Sequence, residues 1–129
     1  MNNANNLKPT VHIYEANANP AHLSEICAGL EEEGILCAIF NANGNAKTLA
    51  YEAANNSRLR VGIGITSDAA ALQIRNCVID KPVFLVSLSE DTGLRKKDHN
   101  AWAVIMLDVN TCRNLGINAA RAVKGGAFV

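Results

Sequence analysis

The stretch RVGIGITSDAAALQIR, residues 60–75, decides the fold. Val61, Ile63 and Ile65 alternate with Gly62 and Gly64, the period of a β-strand. The two glycines share one face and leave room for close approach by a helix, a backbone or a ligand. After "SDA", Leu72 and Ile74 alternate with polar residues and predict a second strand over 71–75. The connection is about five residues, whereas a parallel crossover needs a dozen or more. The second strand must therefore run antiparallel to the first.

Upstream, VHIYEA (11–16) alternates apolar and polar residues and predicts a strand. Asn19 is a candidate N-cap with Pro20 at the first helical position. Leu23, Ile26, Cys27 and Leu30 then form one apolar stripe, and Gly34 ends the helix. ILCAIF (35–40) is almost continuously apolar, as expected of a strand buried on both faces. A second helix over 46–55 presents Leu49, Ala50, Ala53 and Ala54, small enough to lie close to a sheet.

Downstream, PVFLVSL (82–88) predicts a strand, and SEDTGLRKKDHN (89–100) a polar loop. AWAVIMLDV (101–109) is expected to be a further strand or an extension of the sheet edge. A last helix over 110–124 turns Cys112, Leu115, Ala119 and Ala122 inward and stops at Gly125-Gly126. The order βαβαβββα indicates an α/β layered fold with a mixed sheet. One domain over 11–129 follows a loose leader at 1–10.

The chain has 129 residues, 49% hydrophobic and 19% charged, enough to bury a core. Twelve acids balance twelve Lys plus Arg, so no basic footprint points to nucleic acid or an anionic membrane. No apolar run approaches the ~20 residues of a membrane span. Cys27, Cys37, Cys77 and Cys112 have neither CxxC nor zinc-finger spacing. They are expected as reduced, buried thiols of a cytoplasmic protein.

Catalytic motifs are missing. The glycines of GIGIT lie inside a strand, not at a strand-to-helix turn, and neither GxxxxGK[ST] nor GxGxxG occurs. His12, His22 and His99 are isolated; His12 is expected half-exposed on its strand and His22 on the surface of a first helical turn. Ser67-Asp68 fits a turn better than half of a hydrolytic pair. Arg95, Lys96 and Lys97 read as a solvated loop or a contact for an acidic partner.

Two features remain. Glu31, Glu32 and Glu33 stand at a helix C-terminus, where each acid is unfavourable by ~0.3–1 kcal/mol. Glu31 and Glu33 flank the apolar stripe, and Glu32 falls opposite it and projects outward. Either the triplet is a solvated helix end, or a cation or basic partner offsets the dipole. Mg²⁺ or Ca²⁺ would accept one such carboxylate, with other ligands from a partner. The last helix carries Gly116 in its interior, which costs ~1 kcal/mol relative to Ala and implies close packing. Asn114, Asn118 and Arg121 follow i, i+4, i+7 spacing and share a polar face, solvated or docking.

GLEEEGI, RVGIGI and RNLGINAARAVKG together resemble the small-subunit family of coenzyme B12-dependent diol and glycerol dehydratases. The resemblance runs from about Val11 to Gly125. It implies a three-layer α/β/α domain with a mixed five-stranded sheet, one strand antiparallel. The family has two branches, the dehydratase medium subunit and the small subunit of the dehydratase reactivase. The short ends of this chain favour the reactivase branch. Ser89–Leu107 looks like an insertion relative to compact members.

In that branch the resemblance implies a non-catalytic subunit, with ATPase activity in a large partner related to heat-shock chaperones. The complex releases damaged cobalamin from inactivated dehydratase by a subunit swap, so that adenosylcobalamin can enter. It implies no cofactor of the chain's own. Glu32 matches the glutamate that reaches a metal, Mg²⁺ or Ca²⁺, bound by the large subunit. Glu31, Glu33, Asn114, Asn118 and Arg121 are the expected interface. The expected location is cytoplasmic, with a bacterial microcompartment as an option. The alternatives are a cobalamin-contacting medium subunit, or a divergent small-ligand domain using the face opened by Gly62 and Gly64.

Overall fold

The computed structural model describes residues 8–88 and 101–129, with the backbone alone for 101–107. Its elements are β1 (Val11–Ala16), α1 (Pro20–Glu32), β2 (Cys37–Asn41), α2 (Ala46–Asn56), β3 (Val61–Thr66), β4 (Ala69–Ile74), β5 (Phe84–Ser87) and α3 (Ala101–Lys124). The sheet order is β2-β1-β3-β4-β5. β1 runs parallel to β2 and β3, and β4 runs antiparallel to both β3 and β5. β4 alone therefore opposes the other strands, as the resemblance implied.

The β3–β4 hairpin turns on Ser67 and Asp68. Thr66 Oγ1 donates to Asp68 Oδ1 at 2.9 Å, and the Leu88 N–H donates to the Asp68 carbonyl at 2.8 Å. These two residues build a turn, not a hydrolytic pair. Gln73, fully buried on β4, donates from Nε2 to the Val78 carbonyl at 3.0 Å and so holds the β4–β5 connection.

α1 and α3 cover one face of the sheet. Val11, Ile13, Val61, Ile63, Ile65, Ala70 and Leu72 form one core there with Ile26, Leu30, Cys112, Leu115 and Ala119. α2 covers the other face and lies on the glycines. A Cβ on Gly62 would meet Ala54 N at 2.1 Å, and one on Gly64 would meet Ala46 O at 2.2 Å. Those are backbone atoms, so the glycine face is filled by a helix. The small-ligand reading of that face is overturned.

The helix ends follow local chemistry. Asn19 Oδ1 accepts from the Ala21 N–H at 2.9 Å, with Pro20 next, and Asn45 Oδ1 accepts from the Thr48 N–H at 2.9 Å. Past α1, Gly34 adopts φ +76° while the Ile35 N–H returns to the Leu30 carbonyl at 3.0 Å.

Four expectations are corrected. Residues 101–109 are helical, not a strand: α3 is 24 residues long. In the sequence, positions 102, 105, 109 and 112 are apolar at helical spacing, a period that the strand reading overlooked. β2 is an edge strand rather than buried on both faces, with Ile39 46% and Phe40 45% exposed. It has β1 as its single sheet neighbour, and Phe40 leans on His12 and Tyr14 at 5.0 and 5.7 Å between ring centroids. His22 is buried, because the longer α3 sets Asp108 Oδ2 3.8 Å from its Nε2. Of the four free thiols only Cys112 is buried; Cys27, Cys37 and Cys77 are half-buried. His12 is half-buried on β1 as expected, and burial lowers its pKa.

Arg95, Lys96, Lys97 and His99 lie outside the described residues, as does the leader up to residue 7. Within the rest of the leader, the Thr10 carbonyl accepts from Ser57 Oγ at 2.6 Å.

Candidate docking face

The site begins with two glycines. A Cβ on Gly29 of α1 would meet the Arg113 carbonyl at 2.3 Å, and one on Gly116 of α3 would meet the Ile26 carbonyl at 2.1 Å. The two helices thus touch backbone to backbone. Gly116 serves close packing as its cost implied, and Gly29 is its counterpart.

This crossing places a basic side of α3 beside the acidic end of α1. Arg113 donates from Nε to Glu25 Oε1 at 3.0 Å and from Nη1 to Glu32 Oε2 at 2.5 Å. Lys124 Nζ donates to the Glu33 carboxylate at 2.9 Å and to the Glu33 carbonyl at 3.0 Å. Arg121 Nε stands 3.8 Å from Glu33 Oε1. Two of the three acids at the wrong end of the helix, Glu32 and Glu33, are therefore offset by cations of the same chain. Lys124 also caps a terminal carbonyl, as cations near a helix C-terminus do.

Electrostatics follow the contacts. The hydrogen bond from Lys124, helped by the charges of Lys124 and Arg121, holds the Glu33 carboxyl below its usual range against partial desolvation. The hydrogen bond to Glu32, then the charge and hydrogen bond of Glu25, push the Arg113 guanidinium further up. Both groups stay ionised at neutral pH.

The predicted residues divide. Glu32 does project outward, but it is paired with Arg113 rather than alone. Glu31 is exposed beside it, and Glu33 is drawn against α3. Asn114 is exposed on α3. Asn118 is buried instead: its Oδ1 accepts from the Val129 N–H at 2.8 Å, so the chain's own tail covers it. Arg121 donates to the Ala127 carbonyl at 3.1 Å as well as facing Glu33. The expected common polar face of Asn114, Asn118 and Arg121 is thus open at Asn114 and occupied by internal contacts at the other two.

Sequence reasoning missed Arg113, Lys124, Glu25 and Gly29. A signal existed for the cations: Arg113, Arg121 and Lys124 stand at i, i+8, i+11, one side of a helix at about 100° per residue. Nothing in the spacing said which helix they would face.

Elsewhere, a cavity of ≈ 240 Å³ at the carboxyl ends of β1 and β2 is lined by Ala16, Asn17, Asn41, Ala42 and Asn43. It presents amides and backbone but no acid–base group. No group of three or more His, Cys, Asp or Glu side chains that could hold a metal occurs among the described residues. No helix among them is long and apolar enough to cross a membrane.

Comparison with known proteins gives a consistent picture. A family model described as dehydratase medium subunit matches residues 8–107. The chain is 28% identical over 126 residues to the propanediol dehydratase-reactivating factor small subunit of Salmonella typhimurium, covering 97% of this chain and 94% of that protein. It is also 28% identical over 127 residues to the diol dehydratase-reactivating factor small subunit of Klebsiella michiganensis, covering 98% and 88%. The structure of diol dehydratase-reactivating factor complexed with ADP and Mg²⁺ superposes with TM-score 0.75 at 27% identity, over 95% of this chain and 98% of that one. A glycerol dehydratase reactivase superposes with TM-score 0.77 at 28% identity, over 95% and 97%. With 100 consecutive residues under the family model and the same fold end to end, the chain belongs to the dehydratase medium subunit family.

Proposed function

We propose that this chain is the small, non-catalytic subunit of a chaperone-like reactivase for a cobalamin-dependent diol or glycerol dehydratase. One observation carries the choice of branch: the alignment to the Salmonella reactivating-factor small subunit spans 97% of this chain and 94% of that protein. Its partner would be a large subunit bearing the ATPase. The complex would release damaged cobalamin from inactivated dehydratase by exchanging this chain for the dehydratase's own medium subunit. A shared fold is what such an exchange requires, and one family model describes both.

Glu31 and Glu32 of the acidic turn, together with the exposed Asn114 of α3, are the surface offered to the large subunit. Glu32 suits one role with a cation. Its side chain is 48% exposed, and no metal cluster surrounds it among the described residues, so it can complete a partner's Mg²⁺ or Ca²⁺ site but not build one. In the free chain Arg113 neutralises the carboxylate; in the complex the cation would take over that role. A related reactivating factor has been solved with ADP and Mg²⁺, which supports the choice of ion.

Co-expression with a chaperone-like large subunit tests the assembly. A stable 1:1 complex on size exclusion with Mg²⁺ and ADP is expected, and separate elution would refute the assignment. Glu32→Gln should weaken Mg²⁺-dependent association at least roughly tenfold. Arg113→Met, which removes the internal pair but keeps the carboxylate, should not. Equal affinity of Glu32→Gln and wild type would reduce Glu32 to a surface residue. The second reading, a dehydratase medium subunit, is favoured by the description of the family model itself. It predicts a purified assembly that retains cobalamin, against a colourless one for the reactivase.

A further inference from the structure

Cys27 and Cys37 stand ten positions apart, one in the second half of α1 and one opening β2, and their sulfurs lie 3.4 Å apart. The chain between them carries Glu31, Glu32, Glu33 and Gly34. We propose that these two thiols are a reversible redox site, converted to a Cys27–Cys37 disulfide by exchange with small-molecule disulfides of the glutathione class.

Geometry permits the bond. Closing to a disulfide length of ~2.05 Å asks the sulfurs to approach by about 1.4 Å. β2 is an edge strand held by one neighbour, so its position is less constrained than that of a central strand. Both thiols are half-buried, which leaves them within reach of a small oxidant. Cys112 makes the contrast: it is fully buried, and burial, with Asp108 and Glu25 nearby, pushes its thiol up to about 12.

The pair also divides the labour of exchange. The Cys37 S–H donates to the Cys27 sulfur, and that bond pulls Cys27 below the usual thiol range despite burial and the charge of Glu31. The same hydrogen bond, with burial and the charges of Cys27 and Glu31, raises Cys37. Cys27 is therefore the attacking thiolate and Cys37 the resolving thiol. Cys27 attacks one sulfur of the oxidised glutathione, forms a mixed disulfide and expels one glutathione thiolate. Cys37 then loses its proton and attacks Cys27, expelling the second. Two protein thiols and one disulfide yield one protein disulfide and two glutathione thiols; the protein is oxidised and glutathione reduced. The new bond fastens both ends of the acidic turn.

The test needs no partner and is independent of the reactivase assignment. The full chain is equilibrated natively in glutathione redox buffers, alkylated and mapped. Expected are a mass loss of two hydrogens, two of the four thiols blocked, a single 27–37 linkage, and full reversal by dithiothreitol. Cys37→Ser should trap one glutathione on Cys27 as a stable adduct. Cys112→Ser should leave the linkage unchanged. A wild-type chain that accumulates glutathione on Cys27 without cross-linking, links other cysteines, or keeps all four thiols unmodified would overturn the proposal.

Discussion

Gly116→Ala probes the contact on which the docking face is built. In an isolated helix this change stabilises by ~1 kcal/mol. Here the added carbon would lie 2.1 Å from the Ile26 carbonyl oxygen, 3.0 Å from its carbon and 3.1 Å from Leu30 N. A carbon–oxygen contact needs roughly 3.3 Å, so α1 and α3 must part by about 1 Å. All three atoms are backbone, so no side-chain rotation relieves the clash. Overpacking typically costs ~1–3 kcal/mol and occasionally more; a clash with three backbone atoms belongs at or above the upper end, ~3–4 kcal/mol, and core contacts of Ile26, Leu30, Leu115 and Ala119 loosen with it. Even against the propensity gain, the net loss should be about 2–3 kcal/mol. At ~2.1 cal/mol/K of unfolding entropy per residue, that lowers Tm by roughly 7–11 °C. Calorimetry and urea titration of the full chain measure it. Gly126→Ala is the control, since its Cβ would meet nothing nearer than 3.9 Å. An unchanged or raised Tm for Gly116→Ala would refute the backbone contact.

Two further outcomes follow from named contacts. Glu33 has a folded pKa below its unfolded one, so its contribution is present above the unfolded carboxylate value and is lost as pH falls through the lower folded value. Carboxyl NMR titration should find Glu33 below the usual range, and Lys124→Met should raise it; an identical titration in that variant would remove Lys124 as the cause. Gln73→Leu should destabilise by ~0.5–1.5 kcal/mol, because it removes the side-chain bond that ties the exposed Val78 segment of the β4–β5 connection to β4. Urea unfolding measures this loss, and wild-type stability would show that the side-chain bond is dispensable.

Much of the fold was legible in local pattern. The alternation of Val61, Ile63 and Ile65, the short hairpin after Thr66 and the cap at Asn19 all depend on near neighbours in sequence. The apolar runs were read less well. ILCAIF and AWAVIMLDV are both rich in apolar residues, yet one is half-exposed at a sheet edge and the other belongs to a helix. Local hydrophobicity reports a residue's preference, while sheet order and helix length decide how much of it is met. His22 shows the same limit, since its burial depends on Asp108, 86 positions away by number, and on where α3 begins.

By itself, then, the sequence determined one α/β layer with a hairpin at β3–β4, a small-residue helix for the glycine face, and an outward Glu32. These follow from chain stiffness and from periods of two and 3.6 residues, which act over a few positions. Only the tertiary structure decided that Gly29 meets Gly116, that Glu32 finds Arg113, and that Cys27 lies against Cys37. Each joins residues from separate elements, and the register of two packed helices or of an edge strand is set by the whole core rather than by any local run.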